Sequence, residues 1–231
     1  SPAHRARLID AGADPAAIDA TELQEVTAPL PDWWTEKGNA LYALPDATPP
    51  ARLLERLATY ECSDALIVLA SPLPHLVSLS VENAATVFVG PDSDLMAGEV
   101  HCGEASRVIL NGKAIGTHRP MLDARNGGAI VAEPDQLWAA NVYIATDDMH
   151  RLEDVETGAR VNPFGATITL GRHVWLGRDV TLTGHVDIGD GSIVGARSMV
   201  RGQKIPPNTA VAGMPARVIR EGVTWSKNDL P

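Results

Sequence analysis

The sequence predicts a mainly β protein: a parallel β-helix built from six-residue repeats, preceded by a small α/β or α+β unit. Three observations lead there. Between Leu170 and Met199 an aliphatic residue returns at every sixth position, at Leu170, Leu176, Leu182, Ile188 and Val194. Gly171, Gly177, Gly189 and Gly195 follow it, with Thr183 the exception, and the fifth place holds Val174, Val180, Val186, Ser192 and Ser198. Aromatic residues make up only 4% of the 231, which suits an interior of small aliphatic layers.

A period of six has a simple physical meaning. Each hexad supplies one flat strand and one corner, so three hexads close a triangular turn of about 18 residues, and turns stack about 4.8 Å apart. An ordinary parallel sheet needs crossover helices, and the hexads leave no room for them.

The elements follow in order. Asp14-Pro15 has the form of an N-cap with Pro at the first helical position, which predicts a helix through AAIDATELQEV. A Pro-rich connector carries Trp33-Trp34, which reads as a buried anchor. A second helix is expected in ARLLERLATYE, with Leu53, Leu54, Leu57 and Ala58 on one side. ALIVLA and HLVSLSV read as short buried strands. Residues 1–84 are therefore expected to form an N-terminal unit of unknown role, 85–222 the β-helix, and 223–231 a tail. Upstream of Leu170 the repeat is uneven, and Trp138 falls where an inward aliphatic belongs. Ile144 and Leu170 are 26 residues apart, not a multiple of six, so 151–167 is expected to be a loop thrown out of the coil, beginning directly after His150.

Charge and composition narrow the function. A net charge of −10 without a basic run argues against nucleic acid and anionic membrane surfaces as partners. No apolar run has the roughly 20 residues of a membrane span, and the start lacks a signal-peptide pattern. The chain does not begin with Met, which leaves a trimmed leader open. Two cysteines, Cys62 and Cys102, are too few for a disulfide framework and fit a reducing cytoplasm.

TDDMH, a loop containing ETGARVN, the run ITLGRHVWLGRDVTLTGHVDIGDGSIVGARSMV and then IPPNTAVAGMPARVIRE together resemble the hexapeptide-repeat acyltransferases. Within them the chain looks most like bacterial sugar and capsular-polysaccharide O-acetyltransferases. The resemblance is strong over 141–225, weaker over 85–140 and absent over 1–80. It implies a left-handed coil, an exception to the usual right-handed crossover. It also implies acetyl-CoA as donor, a hydroxyl or amine as acceptor, and a homotrimer with active sites between neighbouring prisms. The chain departs from the family pattern at Met214 and Arg197, in the region that lines the coenzyme arm.

The resemblance makes His150 the base that removes a proton from the attacking hydroxyl, a task that suits imidazole near neutral pH. Asp148, two residues away, is expected either to orient that ring or, like Asp147, to cap a turn or receive a substrate hydroxyl. Trp175 is expected to floor a sugar or the pantetheine arm or to pack on a neighbouring subunit; Tyr143 is a weaker candidate. Gly195, Ala196, Arg197, Arg201, Lys204 and Arg217 lie where the family holds the nucleotide end of the coenzyme, with cations suited to phosphates. None of the seven histidines forms the close pair that a zinc site of the related carbonic anhydrases needs, so no metal is expected. The expected activity is O-acetylation of a sugar or polysaccharide. N-acetylation of an amino sugar, free or nucleotide-linked, and a non-catalytic β-helix scaffold are the alternatives.

Overall fold

A computed structural model describes residues 1–229; Leu230 and Pro231, the end of the expected tail, lie outside the described residues. Three sheets of nine, six and seven strands form the faces of a prism, and within each face strands from successive turns pair in parallel. This is the parallel β-helix, consistent with the left-handed coil the resemblance implies. In the regular stretch, Ile168 pairs with Val186 and Leu182 with Val200, one turn of eighteen residues each. Leu170, Leu176, Leu182, Ile188 and Val194 are all buried, as are the fifth-place residues Val174 to Ser198.

The coil begins well before residue 85. The strands Ala40–Ala43 and Leu66–Leu69 extend the nine-stranded face, and Ser78–Val81 starts the six-stranded one. The expected boundary at 84/85 thus marks no break in the sheets. What precedes it closes the prism. Four helices belong to this part of the chain: α1 (Pro2–Ala11), α2 (Pro15–Asp19), α3 (Trp33–Glu36) and α4 (Ala51–Leu57). Trp34, Leu53 and Leu57 join the apolar interior of the coil, covering an end that would otherwise expose its core to water. Helix α1 lays Leu8 and Ala11 over Leu66, Val68, Phe88 and Ile109 on the outside of the nine-stranded face. Strands covered on both sides need apolar residues throughout, which explains the unbroken run ALIVLA.

Two local readings are corrected. The helix expected through AAIDATELQEV stops at Asp19, because Gln24 and Glu25 turn away to pair antiparallel with Ala43 and Tyr42. Helix α1 was not anticipated, although Ser1 caps it through His4 N and Gly12 ends it in the left-handed conformation. At the other end, Thr209–Gly213 pairs antiparallel with Ala216–Glu221. The tail beyond is strapped to the seven-stranded face. The indole of Trp225 stacks on His173 at 4.1 Å and donates to its carbonyl at 2.8 Å, and Lys227 Nζ reaches Asp135 at 2.9 Å. Among the described residues no helix is long and apolar enough to cross a membrane. Cys62 and Cys102 are free and buried, and burial pushes their thiols up to about 11 and about 12.

Candidate active site

The strand Tyr143–Ala145 leaves the six-stranded face, and the chain re-enters the nine-stranded face only at Thr167. The intervening loop is closed at its base by buried polar groups. Thr146 Oγ1 accepts from the Arg125 amide at 2.9 Å and donates to Asp147 Oδ2 at 2.8 Å, while Asp147 Oδ1 accepts from the Gly165 amide at 2.8 Å. Asp147 is therefore the turn-capping carboxylate. Further out, Asp154 Oδ1 receives the amides of Glu156 and Thr157, and a bridge pairs Glu153 with Arg160. The loop is ordered by its own bonds.

Asp148 and His150 sit at the start of this loop. The Asp148 carboxylate accepts two bonds from Arg201, at 3.2 and 3.0 Å, and one from Asn162 Nδ2 at 3.1 Å. Arg201 and Asn162 together hold this carboxyl below its usual range. Asn162 also donates to the His150 carbonyl at 2.8 Å and accepts from the Leu152 amide at 3.0 Å. The peptide of His150 is thus pinned while its side chain stands exposed. The orienting bond expected from Asp148 to the imidazole is not made: that carboxylate is committed to Arg201 and Asn162. Sequence reading missed Asn162. Its only signal was an Asn just before Pro163 at the far end of a functional loop.

The other expected residues are dispersed over the prism. Trp175 lies on the seven-stranded face, 40% exposed, with its ring 6.3 Å from Trp225. Tyr143 is half-buried on the six-stranded face, and burial raises its pKa. The four cations do not form a cluster. Arg201 holds the loop, exposed Lys204 pairs with Asp187 at 2.8 Å on the nine-stranded face, and Arg217 lies on the seven-stranded one. Arg197, at a corner, is 3.6 Å from Asp179 and almost fully exposed. Gly195 and Ala196 are accounted for by stacking: a Cβ on Gly195 would lie 3.0 Å from that of Ala212, and one on Gly177 2.6 Å from the Ala196 amide. Trp138 is wholly buried in the coil. Among the described residues no group of three or more His, Cys, Asp or Glu side chains is placed to hold a metal ion.

A three-faced coil of hexads with one loop at a corner is the architecture of the hexapeptide-repeat acyltransferases, and the resemblance read from the sequence stands. The comparisons agree. Over 105 residues the chain is 39% identical to a putative lipopolysaccharide biosynthesis O-acetyl transferase, WbbJ, of Escherichia coli, covering 40% of this chain and 53% of that protein. Over 54 residues it is 52% identical to the galactoside O-acetyltransferase of Escherichia coli, covering 23% of this chain and 26% of that one. The chain thus spans about half the length of the first of these curated relatives and about a quarter of the second. Among solved structures, the polysialic acid O-acetyltransferase OatWY superposes with a TM-score of 0.59 at 26% identity, over 74% of this chain and 77% of that one. The polysialic acid-specific acetyltransferase NeuO shares the fold, with a TM-score of 0.54 at 21% identity, covering 73% of this chain and 71% of that one. No protein-family profile matches the chain.

Proposed function

We propose that this protein transfers an acetyl group from acetyl-CoA to a hydroxyl of a sugar or polysaccharide. The observation that carries the reading is the pinned loop. Arg201 and Asn162 fix the backbone around His150 and leave its imidazole exposed, on a fold whose relatives are named as O-acetyltransferases.

The reaction is direct. The acceptor oxygen attacks the thioester carbonyl as His150 takes its proton. The tetrahedral intermediate then collapses, the C–S bond breaks, and the imidazolium returns the proton to the departing thiolate. General-base assistance of this kind is worth about 10²–10⁴-fold. Asp148 acts as a positioning residue: with Arg201 it ties the loop to the next turns of the coil. His150 leaves the corner after the six-stranded face, whereas Trp175 is on the seven-stranded face. A site using both therefore draws on two copies, which supports a homotrimer with Trp175 contributed by the neighbour. Arg197, Arg217 and Lys204 remain the proposed contacts for the coenzyme phosphates, with Gly195 and Ala196 lining its arm. Two free buried thiols support a cytoplasmic location.

The test is acetyl transfer measured as release of free coenzyme A in the presence of saccharide acceptors, with wild type and His150→Ala side by side. Acceptor-dependent thiol release by wild type and its loss in the variant support the reading. Undiminished release by a folded His150→Ala overturns the role of His150.

A further inference from the structure

Along the outside of the six-stranded face, one column of paired positions reads Ser80, His101, Asp123, Ala145, Thr183 and Arg201. Its last member grips the His150 loop. Its first three line a cavity of 340 Å³, to which Arg125, Arg56 of α4 and Met149 also contribute. Met149 is the immediate neighbour of His150, so the cavity opens beside the proposed base.

The polar groups here are deep and incompletely paired. Asp123 is only 6% exposed and Ser80 only 8%. Ser80 Oγ bonds His101 Nδ1 at 2.8 Å. Three buried atoms, His101 Nε2, Asp123 Oδ1 and Arg125 Nε, have no aligned hydrogen-bond partner. The Asp123–Arg125 pair is close, at 2.7 Å, but off-line for a hydrogen bond, and Glu82 stands 3.7 Å from His101 Nε2. Buried groups left in this state are costly unless something else satisfies them. A hydroxyl does so on both sides, because it donates to a carboxylate and accepts from a guanidinium. Exposed Met121 and Met149 offer apolar surface for the C–H side of a ring.

Charge selects among hydroxyl-bearing ligands. Glu82, Glu99 and Asp123 line the cavity against two guanidiniums, Arg56 and Arg125, in a chain of net charge −10. Burial, and then Arg125, depress the pKa of His101, so it adds no cation at neutral pH. A carboxylated sugar would meet more anions than cations.

We infer that this cavity is the acceptor subsite and that it seats a neutral glycosyl residue through its hydroxyls, discriminating against polyanionic glycans. The inference rests on the acetyl-transfer reading. Neutral methyl glycosides of glucose, galactose, mannose, rhamnose and N-acetylglucosamine, and a sialic acid oligomer, are titrated into protein carrying ¹³C-labelled methionine methyl groups. At least one neutral glycoside shifts Met121 and Met149 saturably and leaves Met214, at the far end of the coil, unmoved. Arg125→Gln weakens that binding by about tenfold or more, the loss of one hydrogen bond to a charged group. Asp123→Asn does the same, and thermal unfolding establishes that each variant is folded. Silence from all five neutral glycosides at tens of millimolar overturns the inference, as does a preference for the sialic acid oligomer. An acetyl-CoA titration of the same sample separates the two readings: acetyl-CoA binding without sugar binding defeats the subsite alone, whereas sugar binding without acetyl-CoA binding defeats acetyl transfer and with it the acceptor role, leaving a glycan-binding cavity.

Discussion

At the residue scale, His150, Asp148 and Arg201 have separable roles. His150→Ala is expected to lower turnover by about 10²–10⁴-fold while acetyl-CoA affinity and the melting temperature hold. Arg201 and Asp148 form a part-exposed pair, worth about 0–1 kcal/mol to stability at most. Arg201→Ala and Asp148→Asn should therefore leave unfolding nearly unchanged and lower kcat by up to about 10²-fold through misplacement of the base. The double variant should be no worse than either single one, which a double-mutant cycle on kcat reads directly. His101 gives a pH prediction. With its folded pKa depressed, the unfolded chain binds the proton more readily, so its contribution is intact above about pH 6.5 and lost as pH falls below that value. Burial opposes protonation most, Arg125 and Arg56 act in the same sense, and Asp123 and Glu82 act against it. The melting temperature of His101→Gln should fall less than that of wild type between about pH 7 and about pH 5.5. Carboxylates with lowered pKa, such as Asp148, act in a separate window below about pH 4.

At the scale of elements, the corners decide what stacks. A Cβ on Gly189 would lie 2.4 Å from the Pro207 nitrogen of the next turn, whereas Gly202 has open space at a φ of +60°. Gly189→Ala should cost about 1–3 kcal/mol or more by overpacking, and Gly202→Ala about 1–2 kcal/mol of backbone strain, measurable by denaturant unfolding. The same corners explain what was readable. Leu110, Gly116 and Leu122 keep the step of six, as do Ala132, Trp138 and Ile144, and they stack in register. From Leu122 to Ala132, however, the chain takes ten residues, because the corner between the six- and nine-stranded faces carries Arg125–Gly128. Paired positions there stand 22 residues apart, Val100 with Leu122 for example, and the six-residue pattern breaks once per turn. The His150 loop enlarges this same corner. Asp148 and His150 were legible from their motif, but Asn162 and the His101 column were not. Their partners lie one or more turns away, and that spacing becomes visible only when the turns stack.

At the scale of the whole molecule, α3 and α4 cover one end of a coil on which the proposed catalytic residues His150 and Trp175 lie on different sides. If each site takes His150 from one subunit and Trp175 from the next, His150→Ala and Trp175→Ala should complement each other. Co-expressed in equal amounts, they should restore about a quarter of wild-type turnover, the share of interfaces with both native residues in a randomly mixed cyclic assembly. No restoration in trimers of verified mixed composition would mean that both residues are needed in the same subunit, and would overturn the shared site.

Acetyl transfer stands or falls first on calorimetric titration of acetyl-CoA into wild type and His150→Ala. The titration needs no knowledge of the acceptor. Saturable binding near one site per chain is expected, with the same affinity in both proteins. No binding by folded wild type at millimolar acetyl-CoA would contradict it and leave the β-helix a scaffold or the user of another acyl donor.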